Sequence, residues 1–194
     1  MKTIEIKGVK RDAFGKKGSK SIRKAGLVPC VIYGCKENIH FSVEESQLRD
    51  LIYTPNSYII HFDIDGEQTI GVMREVQFHP VKDNVLHVDF YHVDHTKPVA
   101  IDIPVKLTGI SEGVRQGGKL MLSKRKLRVS GIIDNLPDTL DIDITNLQLG
   151  KSVFVNDVKF DGLTILTPGT TAICAVRMTR AARGAANAAA AEAK

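Results

Sequence analysis

The chain has 194 residues and a formal net charge of +5, with 43% hydrophobic and 25% charged residues. That balance excludes wholesale disorder and a collagen-like fibre, and the length allows one large domain or two small ones, each able to bury a core. No apolar run approaches the roughly 20 residues that a bilayer span needs. Met1 to Lys7 alternates polar and apolar residues, unlike a signal peptide, and Cys30, Cys35 and Cys174 have no metal-type spacing. A cytosolic protein without a disulfide framework is expected.

The charge is unevenly placed. Residues 1–26 hold nine Lys or Arg against Glu5 and Asp12, a net +7, which leaves −2 for the remaining 168 residues. Such a concentration suits a polyanionic partner, although a solvated basic arm has the same charge signature.

In chain order, a strand is expected over Lys2 to Val9, then a Gly-rich basic loop, Gly15-Lys16-Lys17-Gly18. A short helix from Ser19 to Ala25 follows, with Ser19 as N-cap and Gly26 past its end. Val28 to Tyr33 is a β-type run in which Pro29 should lie near a strand start or an edge. After a short strand at Ile39 to Val43, Ser42-Val43-Glu44-Glu45 matches a capping box opening a helix to about Tyr53. Tyr58 to Ile64, the turn Asp65-Gly66, and Glu67 to Phe78 form the clearest hairpin, and Val85 to Val93 is a further strand.

The pattern breaks near Asp94 to Pro98, where a domain boundary is placed. Beyond it every segment reads as strand: Val99 to Leu107, Lys126 to Ile132, Thr139 to Ile144, Lys151 to Val155, Leu163 to Leu166 and Ala172 to Met178. The expected fold is mainly β, with an N-terminal β-barrel over 1–94 carrying two or three short helices and an all-β domain over 95–180. The Ala-rich stretch 181–194 is expected to be a flexible tail.

His79, His87, His92 and His95 fall within 17 positions. On a strand His87, Asp89 and Tyr91 share one face, but the spacing fits no helical zinc motif. A polar sheet face meeting a partner is the favoured reading, and a metal-dependent enzyme using His79, His87 and His92 is the alternative. There is no Gly-x-Ser-x-Gly elbow, no phosphate loop of the Gly-x-x-x-x-Gly-Lys-Ser/Thr type, and no cofactor motif. The basic loop and helix start instead offer backbone N–H groups, a positive dipole end, and Lys20 and Arg23 as i, i+3 neighbours. No long basic recognition helix is present, so folded RNA fits better than DNA. A protein-interaction role for residues 99–180, with Lys124-Arg125-Lys126 in a second contact, is a third reading.

Four ordered motifs then carry a resemblance. Arg11…Gly15-Lys16-Lys17-Gly18-Ser19-Lys20…Arg23-Lys24-Ala25-Gly26…Val28-Pro29…Ile32-Tyr33-Gly34 is the first, and Val76 to Val81 followed by His87-Val88-Asp89-Phe90 is the second. Gly113 to Leu120, and Leu136-Pro137 leading to Asp141 to Ile144, complete the set. Together they resemble the bacterial large-subunit ribosomal proteins that bind 5S rRNA, in the two-domain form called general stress protein CTC, over about residues 1–180. The resemblance implies a six- or seven-stranded barrel on the loop E region of 5S rRNA and a C-terminal domain not needed for that contact. It implies RNA contacts at Arg11, Lys16, Ser19, Lys20, Arg23, Tyr33, Gln77, His79, His87 and Asp89. Lys17 of the same loop belongs with them, as does Arg74, which stands where some members have Gln. Lys20 replaces the Arg of shorter members, so a bidentate phosphate contact is not assumed there. The implied role is non-catalytic and cytoplasmic, on the ribosome beside other large-subunit components, with no membrane, small-molecule substrate or cofactor.

Overall fold

The computed structural model describes residues 1–35, 37–160 and 162–180; the stretch expected as a tail lies outside them. Two compact units result, Met1–Val99 with Ile132–Asp138, and Ala100–Gly131 with Thr139 onward.

In the first unit, the strands β1 (Lys2–Lys10), β2 (Leu27–Tyr33), β3 (Ile39–Glu44), β4 (Tyr58–Ile64), β5 (Glu67–Phe78) and β6 (Val85–His92) close into a barrel of order β1-β3-β2-β6-β5-β4. Closure comes from parallel pairing of β1 with β4, Lys2 opposite Tyr58 through Gly8 opposite Ile64. Alternation along β6 turns Val88 and Phe90 inward, where both are fully buried, and leaves His87, Asp89 and Tyr91 half-buried on the outside. Inside, the rings of Phe41, Phe62 and Phe90 pack edge-on or tilted, with centroids 4.8 to 6.0 Å apart. Helix α2 (Glu45–Tyr53) adds Leu48 and Leu51 to this core.

The β4–β5 hairpin turns as its sequence predicts. Asp65 (φ 51°) and Gly66 (φ 88°) are both left-handed, the signature of a primed turn. Pro29 is the third residue of β2, ahead of Cys30, where pairing with β6 begins, so its missing N–H interrupts no bond on that side.

Two helix starts differ from expectation. Helix α1 spans Gly15–Lys24, so the Gly-rich segment is its first turn and not a loop; Phe14, not Ser19, is the N-cap, with no side-chain capping bond. Gly18 makes this possible by close approach, since a Cβ there would stand 2.5 Å from the Ala13 carbonyl oxygen. The capping box is also not formed. Ser42 is a buried residue of β3 whose hydroxyl donates to the Val9 carbonyl at 3.5 Å, and the helix begins only after Glu44. Strand pairing with β1 and β2 takes Ser42 before a cap can use it.

The second unit holds a four-stranded sheet, β10 (Leu140–Asp143), β7 (Val99–Thr108), β9 (Lys126–Gly131) and β12 (Thr164–Ile165) in that order. A three-stranded sheet orders β11 (Ser152–Phe154), β13 (Ala172–Arg177) and β8 (Lys119–Leu122). Strand β8 was not expected, nor, in an all-strand unit, were a 3-10 turn at Val155–Asp157 and a helical turn, α3 (Glu112–Arg115). Ser111 caps it, accepting from Val114 N–H at 3.4 Å while donating to the Leu147 carbonyl at 2.7 Å. Among the described residues no helix is long and apolar enough to cross a membrane.

Candidate nucleic-acid interface

Helix α1 lies against β2 on the outside of the barrel and buries none of its residues fully. Gly18, Ser19 and Ile22 are half-buried, while Lys16, Lys17, Lys20 and Lys24 stand in solvent. None of these four lysines makes an ion pair within the described residues. With Arg23 they put five cations and no acid into ten residues. Arg23 is also an anchor, because its Nε donates to the Leu86 carbonyl of β6 at 3.0 Å. That carbonyl sits at an irregularity of the β5–β6 ladder, where Gln77 pairs with His87 but Phe78 pairs with Val85.

Beside the helix, the outer face of β5, β6 and β2 gathers the other candidates. Gln77 opposes His87, Glu75 opposes Asp89, and Asp89 opposes Val31. His87 Nδ1 and Asp89 Oδ1 are 2.6 Å apart, so the carboxylate orients the imidazole and leaves Nε2 as its outward nitrogen. A second ladder shift, between Met73 and Glu75, makes Arg74 a bulge residue. Its guanidinium carbon lies 5.0 Å from the Tyr91 ring centroid, and Tyr91 meets Tyr33 edge-on at 5.7 Å. His79 sits apart, at the β5–β6 turn. Its Nδ1 accepts from Val81 and Lys82 N–H at 3.2 Å each, its backbone N–H donates to the Asn84 carbonyl, and its own carbonyl accepts from Asp83. One ring nitrogen is therefore committed to shaping the turn.

On the other flank Arg11 lies near Phe14, its guanidinium carbon 6.0 Å from the ring centroid, and Phe14 meets His40 edge-on at 5.0 Å. Arg11 Nε and Nη1 and His40 Nδ1 are shielded from solvent without a hydrogen-bond partner. Burial first, then the Arg11 guanidinium and His87, push the His40 imidazole below its ordinary range and keep it neutral. Sequence reasoning passed over His40 as a site residue; it placed Tyr91 on one face with His87 and Asp89 but not among the RNA contacts.

The histidines do not converge. His87 is held by Asp89, and His92 Nε2 lies 3.0 Å from Asp94 Oδ1, whose carboxyl Lys97 and His92 hold below its usual range. Among the described residues no three His, Cys, Asp or Glu side chains are placed to hold a metal ion.

Residues 6–90 match the ribosomal L25p family, and residues 98–180 match the C-terminal domain of ribosomal protein TL5. A large ribosomal subunit protein bL25 of Bacteroides thetaiotaomicron is 46% identical, covering 97% of this chain and 99% of the relative. The chain belongs to the ribosomal L25p family. Its bL25 relative in Porphyromonas gingivalis is 45% identical over 96% of this chain and 98% of its own length, and that of Parabacteroides distasonis 42% over 95% and 98%. The resemblance read from the four motifs is thereby established, as is the mainly β fold with its barrel and second β unit. L25p membership makes the chain a structural, non-enzymatic protein of the large ribosomal subunit, cytoplasmic and ribosome-associated.

Proposed function

We propose that the chain binds 5S rRNA, at its loop E region, through the outer barrel face formed by α1, β2, β5 and β6. The observation that carries this reading is the juxtaposition of a ten-residue helix bearing five cations with a strand face bearing Gln77, His87 and Asp89. Lys16, Lys17, Lys20 and Arg23 set register on phosphates, and Ser19 adds a hydroxyl at the same helix. Gln77 and the outward nitrogen of His87 address base edges or 2′-hydroxyls, as the shallow minor groove of an irregular RNA helix allows. Asp89 acts through His87, because a bare carboxylate beside phosphates would repel them. Tyr33, with Arg74 on Tyr91, forms the far edge of the face, and Arg11 and His79 flank it. Residues 1–94 constitute the binding domain in this reading, and the β unit of residues 95–180 is a companion that the core contact does not require.

Titration of the full chain with 5S rRNA at several salt concentrations tests the proposal. A steep fall of affinity with salt and a preference over an unrelated RNA hairpin are expected. A flat salt dependence, or equal affinity for the hairpin, would overturn it.

A further inference from the structure

We infer that Phe14 is a stacking platform for one unpaired nucleobase of the bound RNA, a contact that rests on the proposed RNA-binding function and adds to it a site of different chemistry. Phe14 is the N-cap residue of α1, with extended backbone (φ −95°, ψ 164°), so its ring is held at the head of the basic helix. Although large and apolar, the side chain is 62% exposed. Its position is nevertheless fixed, by the edge-on His40 ring at 5.0 Å and the Arg11 guanidinium at 6.0 Å. An aromatic ring pinned by its neighbours and open to solvent is ready for a planar partner at little entropic cost.

The ring borders a recess of about 520 Å³. Lys10, Arg11 and His40 line it together with Asp12, Glu37 and Glu67, and the Lys10 ammonium is already paired with Glu67 at 2.9 Å. That mixed lining is wrong for a phosphate, which the carboxylates would repel. It suits an uncharged base, which carries acceptors and donors on one edge and a π-face for stacking. The shielded Arg11 Nε and Nη1 and His40 Nδ1 are, in addition, buried polar atoms that a base edge can reach after modest side-chain movement. The lysines of α1 hold the backbone; Phe14 takes a base that has left its stack.

The chain contains no tryptophan, so Phe14→Trp supplies a single emission reporter at the site. With the full chain and 5S rRNA, the emission of Phe14→Trp is expected to be quenched as the base stacks. Phe14→Ala and Phe14→Leu are expected to weaken binding about tenfold or more without altering the salt dependence, since no phosphate contact is lost. Leu preserves the apolar contact with His40, so a loss shared by both variants reports the missing π-face and not a frayed helix. Unchanged affinity in both variants, or unquenched emission of Phe14→Trp at saturating RNA, would overturn the inference while leaving 5S rRNA binding intact. Failure of the unmodified chain to prefer 5S rRNA would remove both.

Discussion

Replacing Lys16 and Lys20 together by Ala isolates the phosphate contacts of α1. Both side chains are exposed, four residues apart on one helical face, and outside any ion pair among the described residues. Ala is at least as good a helix former as Lys, so the fold should be unaffected to within about 0.5 kcal/mol. If the five cations of α1 each neutralise one phosphate, the slope of log affinity against log salt is about −4.5 at roughly −0.9 per contact. Raising salt from about 50 to 200 mM then lowers affinity about 500-fold. Removing two contacts flattens the slope to about −2.7 and shrinks the same fall to about 40-fold. Filter binding or fluorescence anisotropy with 5S rRNA, at four or more salt concentrations, measures the slope directly. Lys151→Ala with Lys159→Ala, both exposed and in the second unit, serves as the charge-matched control and should leave the slope unaltered. A double variant with the parental slope would refute the assignment of phosphate contacts to this helix.

Three further outcomes follow from the geometry. Gly18→Ala, which ordinarily favours a helix by up to about 1 kcal/mol, should here lower the melting temperature and weaken RNA binding, because its Cβ would meet the Ala13 carbonyl; an unchanged melt and affinity would refute the packing role. His40 has its pKa lowered in the fold, so the unfolded chain binds the extra proton first; stability is full above about pH 6.5 and falls as pH drops through that range toward the lower folded value. The loss of melting temperature between pH 7 and pH 5 should therefore be smaller in His40→Gln, and an identical loss would refute the argument. Burial pushes the Cys30 thiol up to about 12 and raises Cys174, and burial with the nearby Asp94 raises Cys35 as well, so access sets the order: at pH 8 a thiol reagent should label the half-buried Cys35 first and reach the two buried thiols only on unfolding, as mass spectrometry of the labelled protein reads.

What the sequence disclosed was local. Asp65-Gly66 announced its turn because both residues tolerate positive φ, and Val88 and Phe90 alternate with His87 and Asp89 as a one-sided strand must. The basic segment was plain by counting. Features settled by distant partners were hidden. Ser42 has the spacing of a cap, yet pairing with β1 and β2 claims it; Gly18 reads as a flexible loop residue until Ala13 is seen beneath it. The ladder shifts that lift Arg74 out and place Leu86 under Arg23 follow from the register of two strands, which neither strand carries alone. His40 looked like one more polar residue in a short strand, since only the fold brings Arg11 and Phe14 against it.

The parallel seam between β1 and β4 has a consequence for synthesis. Lys2 waits for Tyr58, and Cys30 of β2 waits for Val88 of β6, separations of more than fifty residues in each case. Helix α1 leaves the ribosome early as a cationic segment just ahead of β2, on which it packs, and the strand that anchors Arg23 emerges last in the barrel. The binding face is therefore a late product of translation, assembled in one step when β6 enters. Such long-range closure folds slowly. A nascent chain stalled before residue 85 would carry most of the positive charge of the site, and Gln77, but neither His87 nor Asp89.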